Sequence, residues 1–170
     1  TIYYAEIAND GTLRRPATCT GANIQYAGSW CVDNSNTING SVGLAAFGHA
    51  VFNNTIYAIG GTDGQGWQTT VYRNSLNADG SLNSWTSQTQ NSAGLGTTSI
   101  GYPYVFTRAN PLTAGTNPGN LYVIGGCSNG ANSGLDCGST ASNFLTTVYK
   151  CNIATSGALG GCTTTGQVQL

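Results

Sequence analysis

Charge is what this chain most conspicuously lacks. Of its 170 residues only 6 % are charged, five basic against six acidic, with a single His and no Met. Soluble domains average roughly 25 % charged residues. So few Lys and Arg exclude a nucleic-acid surface, because displacing counterions from phosphate needs a cluster of cations. Long apolar runs are missing too. A membrane-spanning helix needs roughly 20 consecutive apolar residues, whereas every apolar stretch here is broken by Gly or Asn within a few positions. Membrane insertion is therefore not expected. Helical periodicity does not persist over about ten residues anywhere. No G-x-S-x-G, phosphate loop or dinucleotide fingerprint occurs. The acidic residues Glu6, Asp10, Asp33, Asp63, Asp79 and Asp136 show no pairing suited to glycoside hydrolysis. With His49 the sole histidine, no base, orienting acid and nucleophile come together. The expectation is a non-enzymatic protein without cofactor or metal.

What is abundant is Gly, with 25 residues, alongside Thr, Ser and Asn, and 39 % of residues are hydrophobic, enough to build a core. Residue 1 is Thr and no signal peptide is present. The chain is thus expected to begin after processing, or to be a piece of something longer. Six cysteines fall in sequential pairs spaced 12, 10 and 11 apart. That pattern predicts three local disulfides, Cys19–Cys31, Cys127–Cys137 and Cys151–Cys162, in an oxidising compartment. A zinc site would show C-x-x-C or similar with His nearby. The expected location is extracellular or cell-surface.

The chain also repeats itself. "IYAIGG" at Ile56 to Gly61 returns as "LYVIGG" at Leu121 to Gly126. "TIYYAEIANDGTL", "TVYRNSLNADGSL" and "TVYKCNIATSGAL" align without a gap, placing Tyr3 with Tyr72 and Tyr149, Gly11 with Gly80 and Gly157, and Leu13 with Leu82 and Leu159. Each reads as strand, turn, strand, and Asp-Gly between strand formers is a strong hairpin signal. Upstream, "GHAVFNNTIYAIGG" adds a strand near His49 to Phe52, a turn at Asn53-Asn54, and a strand from Thr55 to Ile59. Its second version has a longer turn at Thr107 to Asn120. One unit is four short antiparallel strands, a to d: b ends in Gly-Gly, c carries the Tyr, and the c–d turn carries a Gly. The chain is all-β.

Apolar-Tyr-apolar-Ile-Gly-Gly, then a Tyr strand, then Trp85, resembles the kelch repeat of β-propellers. Gly60, Gly61, Tyr72 and Trp85 carry the resemblance in one unit, and Gly125, Gly126 and Tyr149 in the next, with Cys162 in place of Trp. The Tyr-to-Trp interval is longer than the usual kelch pattern, which makes this a divergent, bacterial-type relative resembling a surface protein. The resemblance implies an all-β fold of four-stranded antiparallel propeller blades. Residues 1–20 supply only strands c and d, 43–90 a full unit and 101–168 another. Propellers typically need 4 to 8 blades to close. This incomplete propeller therefore calls for further blades, from the same polypeptide or from neighbouring copies. Kelch-like propellers include galactose-oxidase relatives with copper held by Tyr and His, a ligand set that one His does not match.

Two geometric expectations follow. If Ser156-Gly157 forms a two-residue turn, Cys151 and Cys162 face each other across the hairpin; a three-residue turn with a bulge would separate them. The b–c and d–a connections emerge at one end of a blade, and that end carries the long loops: Thr62 to Gln68, Cys127 to Phe144, and roughly 16–42 and 86–100. Function usually sits on such loops. Trp67 either stacks on a sugar, with Asp63 and Gln65 as hydrogen-bonding partners, or plugs a gap between blades. Trp30 either joins it or covers the Cys31 disulfide. Tyr102 and Tyr104, preceding or entering a strand, read as packing residues with binding as the alternative, and Asp136 is thin support for calcium. Asn39 and Asn53 match the glycosylation acceptor pattern. The expected role is recognition of a glycan or protein ligand through this loop face. The alternatives are a subunit of a surface coat or filament, or a segment of a propeller enzyme.

Overall fold

The structure, a computed structural model, describes residues 2–14, 24–27, 30–33, 37–39, 43–78, 80–110, 118–128, 137 and 143–167. The N-terminal unit holds β1 (Ile2–Tyr4), β2 (Glu6–Ile7), β3 (Leu13–Arg14), β4 (Ile24–Ala27) and β5 (Trp30–Asp33). Strands β2 and β3 form the hairpin expected of residues 1–20. Strand β1, however, does not wait for strands from elsewhere. It pairs antiparallel with β5, and β5 with β4, in the order β1-β5-β4. The stretch "IQYAGSWCVD", read as connection, alternates bulky and small residues around Gly28 and so suits two short strands.

The second unit is a four-stranded sheet in simple sequential order, β6 (Gly48–Phe52), β7 (Thr55–Ile59), β8 (Thr70–Ser75) and β9 (Thr86–Thr89). A single helical turn, α1 (Gln90–Ala93), follows. The third repeats the order with β10 (Tyr104–Ala109), β11 (Gly119–Ile124), β12 (Thr147–Ile153) and β13 (Leu159–Gln167). Strand β10 reaches Ala109 and β11 starts at Gly119, so the a–b turn there is shorter than Thr107 to Asn120. The Asn53-Asn54 turn has both residues left-handed, φ 44° and 58°, the pair of values a two-residue hairpin requires.

The c–d turns follow one template. Ala8, Asn77 and Ala154 each donate their N–H to the carbonyl four residues on, and accept from Gly11, Gly80 and Gly157 respectively. Those glycines sit at φ 81°, 81° and 78°, where a Cβ is costly. This is the three-residue turn with a glycine bulge rather than the two-residue turn. Taken alone it would set Cys151 and Cys162 on opposite faces. A second register shift, between Lys150 and Asn152, corrects the offset, and the Cys151–Cys162 disulfide forms.

The core lies between the second and third sheets. Tyr57, Ile59 and Val71 from one meet Val105, Leu121, Val123, Cys151 and Ile153 from the other, with Ala93 and Leu95 of the connection closing one side. Tyr57 reaches across, its hydroxyl donating to the Gly157 carbonyl at 2.8 Å. Burial pushes its phenol up to about 12.

Candidate functional site

Gly60 and Gly61 explain how the loop end is built. Both have positive φ, 65° and 87°. The Gly61 N–H donates 2.7 Å to the Ile100 carbonyl, which belongs to the entry into the next sheet. A methyl on Gly60 would collide with that same carbonyl oxygen. The Gly-Gly pair is therefore the seam where one sheet accepts the next. Beyond it, Thr62 bridges back to Ala45 and forward to Trp67. In the third unit Cys127 bridges to Gly101 and to Phe144 in the same way. Hence Phe144 is the repeat counterpart of Trp67, each lying five residues before its Tyr, and Tyr102 is the counterpart of Ala46. Extending the Tyr72/Tyr149 register five residues upstream would have revealed this from sequence.

Trp67 is 9 % exposed. Its ring lies against Gly101, where any side chain would collide with it. Tyr102 approaches edge-on, with ring centroids 5.7 Å apart and planes at 65°. The arrangement is the gap-plugging one: Trp67 joins the second sheet to the third. Asp63 is turned onto its own loop, Oδ1 accepting from the Gln65 N–H at 2.9 Å and the Gly66 N–H at 3.3 Å. It shapes the loop around Gly64, whose φ is 85°. Gln65 is exposed at the loop tip. Trp30, 38 % exposed, stands in β5 rather than on a loop, beside the fully buried Cys31. The predicted site residues are thus spread over the structure, with only Asp63, Gln65 and Trp67 sharing one loop.

The residue that sequence reading undervalued is Tyr102. It is 48 % exposed and held at φ 51°, a left-handed conformation that is uncommon for a bulky side chain. Ala46, its counterpart, has φ 55°. The conformation is therefore a property of the repeat, fixed by the bond from the Tyr102 N–H to the Ala46 carbonyl at 2.8 Å. In the third unit that strained position presents an aromatic ring. Phe144, 42 % exposed, bridges to Cys127 at the same end, whereas Tyr104, 67 % exposed, lies beside Phe106, which stacks on Tyr122 on the side of the third sheet.

Cys127 is bonded to Cys137, which anchors the start of the long b–c loop. Cys31 is likewise disulfide-bonded; Cys19, its expected partner, lies outside the described residues, as do Asp79 and Asp136. His49 is exposed on β6, its ring edge-on to Phe47. Asp10 serves its turn, the Thr12 hydroxyl and N–H holding its carboxyl below the ordinary value. Asn39 accepts a 2.6 Å bond from the Tyr72 hydroxyl, whereas Asn53 is exposed on its turn. Among the described residues no group of three or more His, Cys, Asp and Glu could hold a metal, and no helix is long and apolar enough to cross a membrane.

Four-stranded antiparallel sheets, joined face to face across a glycine seam, define incomplete β-propeller blades. Residues 43–73, from the entry of β6 to Arg73, match the family model of the Kelch motif, and the antiparallel sheets are consistent with kelch-like repeats. No curated protein matches the chain. The disulfides fit an oxidising, extracellular-type environment.

Proposed function

We propose that the chain is a non-enzymatic recognition module of a secreted or cell-surface β-propeller, taking a protein or glycan partner on the face formed by the b–c and d–a connections. The observation that carries this reading is Tyr102: an exposed aromatic ring, set by the turn that the repeat defines and braced by a buried Trp. Tyr is among the residues that dominate binding energies when anchored. The Kelch motif supports a propeller-type binding module.

The test separates Tyr102 from Trp67. With the strongest ligand found on a glycan array or in a protein-display screen, Tyr102→Ala should weaken binding at least about tenfold, a typical anchor contribution. Its unfolding free energy should stay within about 0.5 kcal/mol of the parent. Trp67→Ala should instead cost about 3–5 kcal/mol, the usual range for emptying a buried aromatic site. Full binding by Tyr102→Ala, or a Trp67→Ala variant that loses binding without losing stability, contradicts the assignment.

A second reading, completion by further blades, rests on the outward face of the third sheet. Tyr122, Ile124 and Val148 repeat Tyr57, Ile59 and Val71, yet they remain partly open where their counterparts are buried. Tyr3, Ile7 and Leu13 are 59 %, 71 % and 50 % exposed in the N-terminal unit. Another kelch-type sheet, from a longer polypeptide or a neighbouring copy in a coat or filament, would cover such surfaces. This reading is compatible with the recognition face, which lies at the end of the sheets and not on their sides.

A further inference from the structure

Away from the loop face, on the side where the a–b and c–d turns emerge, the seam between the second and third sheets opens into a cleft of about 170 Å³. Among the described residues its one charged wall is Arg73 of β8, and Thr55, Ser75, Ser84 and Thr86 from the second unit and Ser156 from the c–d turn of the third supply hydroxyls. Among the described residues no carboxylate lines it. The guanidinium is held in place: Nε donates to the Thr86 hydroxyl at 3.0 Å, and that hydroxyl donates back to the Arg73 carbonyl. Nη1 is buried with no hydrogen-bond partner. A cation partly withdrawn from water without a counter-charge is unfavourable unless something anionic balances it.

We infer that this cleft binds an acidic sugar, a hexuronate unit whose carboxylate pairs with Arg73 while its ring hydroxyls meet the Ser and Thr side chains. Three features favour that chemistry over a simple anion. The cleft is slightly larger than the ~150 Å³ that encloses benzene and is open, so one side of a six-membered sugar ring can seat in it with the remaining substituents in solvent. One fixed positive charge is surrounded by neutral groups that both donate and accept, which matches one carboxylate among several hydroxyls. Arginine's permanent positive charge favours a carboxylate, through a charge-assisted hydrogen bond stronger than a neutral one. The site is assembled by two sheets, because Ser156 comes from the turn whose Gly157 carbonyl receives the Tyr57 hydroxyl. It therefore exists only when the seam is closed.

The experiment titrates the 170-residue chain with glucuronate and galacturonate, with glucose and galactose as neutral counterparts, and with acetate and sulfate as bare anions. Amide shifts at Ser84, Thr86 and Ser156 report the site. The expected result is saturable binding of a uronate at least tenfold tighter than its neutral parent and than either bare anion. It should weaken with added salt and weaken at least tenfold in Arg73→Gln. Should Arg73→Gln not fold, Ser156→Ala decides, since Ser156 is exposed on a turn; it should weaken binding several-fold with an unchanged unfolding midpoint. Equal affinity for a uronate and its neutral parent overturns the inference, as does equal affinity for acetate or sulfate. So does binding that survives in both variants. None of these results bears on Tyr102 and the loop face.

Discussion

Replacing Gly60 with Ala should destabilise the chain by at least about 3 kcal/mol, whereas the same change at Gly125 should cost about 1–2 kcal/mol. Both glycines have left-handed backbone, φ 65° and 59°, and an L-residue in that region costs roughly 1–2 kcal/mol wherever it occurs. The difference is the neighbour. At Gly60 the added methyl runs into the Ile100 carbonyl, the acceptor for Gly61. Relieving the collision moves the seam apart, at an overpacking cost of about 1–3 kcal/mol and with a weakened hydrogen bond worth about 1 kcal/mol. At Gly125 the nearest obstacle is the Leu145 carbonyl at 3.3 Å, a contact that small shifts relieve. Urea unfolding of the two variants measures both values. Equal losses would contradict the seam assignment.

Removing the Cys151–Cys162 disulfide should be the other large loss, about 3–5 kcal/mol for the double Ala variant. Closing a loop of this size contributes about 3 kcal/mol through the unfolded chain. Cys151 is also fully buried in the core cluster, so its truncation leaves a small cavity. Cys162 packs against Gly94, where a methyl would lie 3.1 Å from its Cβ, linking the last strand to the connection after β9. The Cys127–Cys137 bridge closes a loop of similar size, and Cys127, though buried, lies outside the core cluster, so its removal should cost less, about 2–3 kcal/mol. Urea midpoints with and without reductant, compared between the two double variants, check the order. A loss below about 1 kcal/mol for Cys151/Cys162 would mean that the hairpin keeps its register without the bond.

Much of this architecture was legible because the residues that make it are chemically irreplaceable. Gly-Gly at a seam and Gly at a turn cannot be substituted without strain, so they recur at fixed spacing and expose the repeat. Strands β4 and β5 left no such mark: no glycine pair ends them and no repeated Tyr lies in them. The form of the c–d turn stayed open because Gly follows a turn former in both the two-residue and the three-residue forms. What separates them is a compensating bulge near Cys151 that no single residue signals. At the candidate site Trp67 drew attention by composition, yet the seam buries it. Tyr102 was hidden because its repeat position demands a backbone conformation and not a side-chain type, so Ala46 and Tyr102 share no visible chemistry.

The sharpest single test is amide hydrogen exchange at Gly61 against Gly126, which occupy the same repeat position. Gly61 donates across the seam to Ile100, whereas Gly126 has no matching cross-sheet bond among the described residues. Gly61 should exchange only through opening of the core, at least about 1000-fold slower than Gly126, as expected for a bond that breaks in global rather than local opening. Comparable exchange at the two sites would mean that the second and third sheets are not joined through this glycine seam.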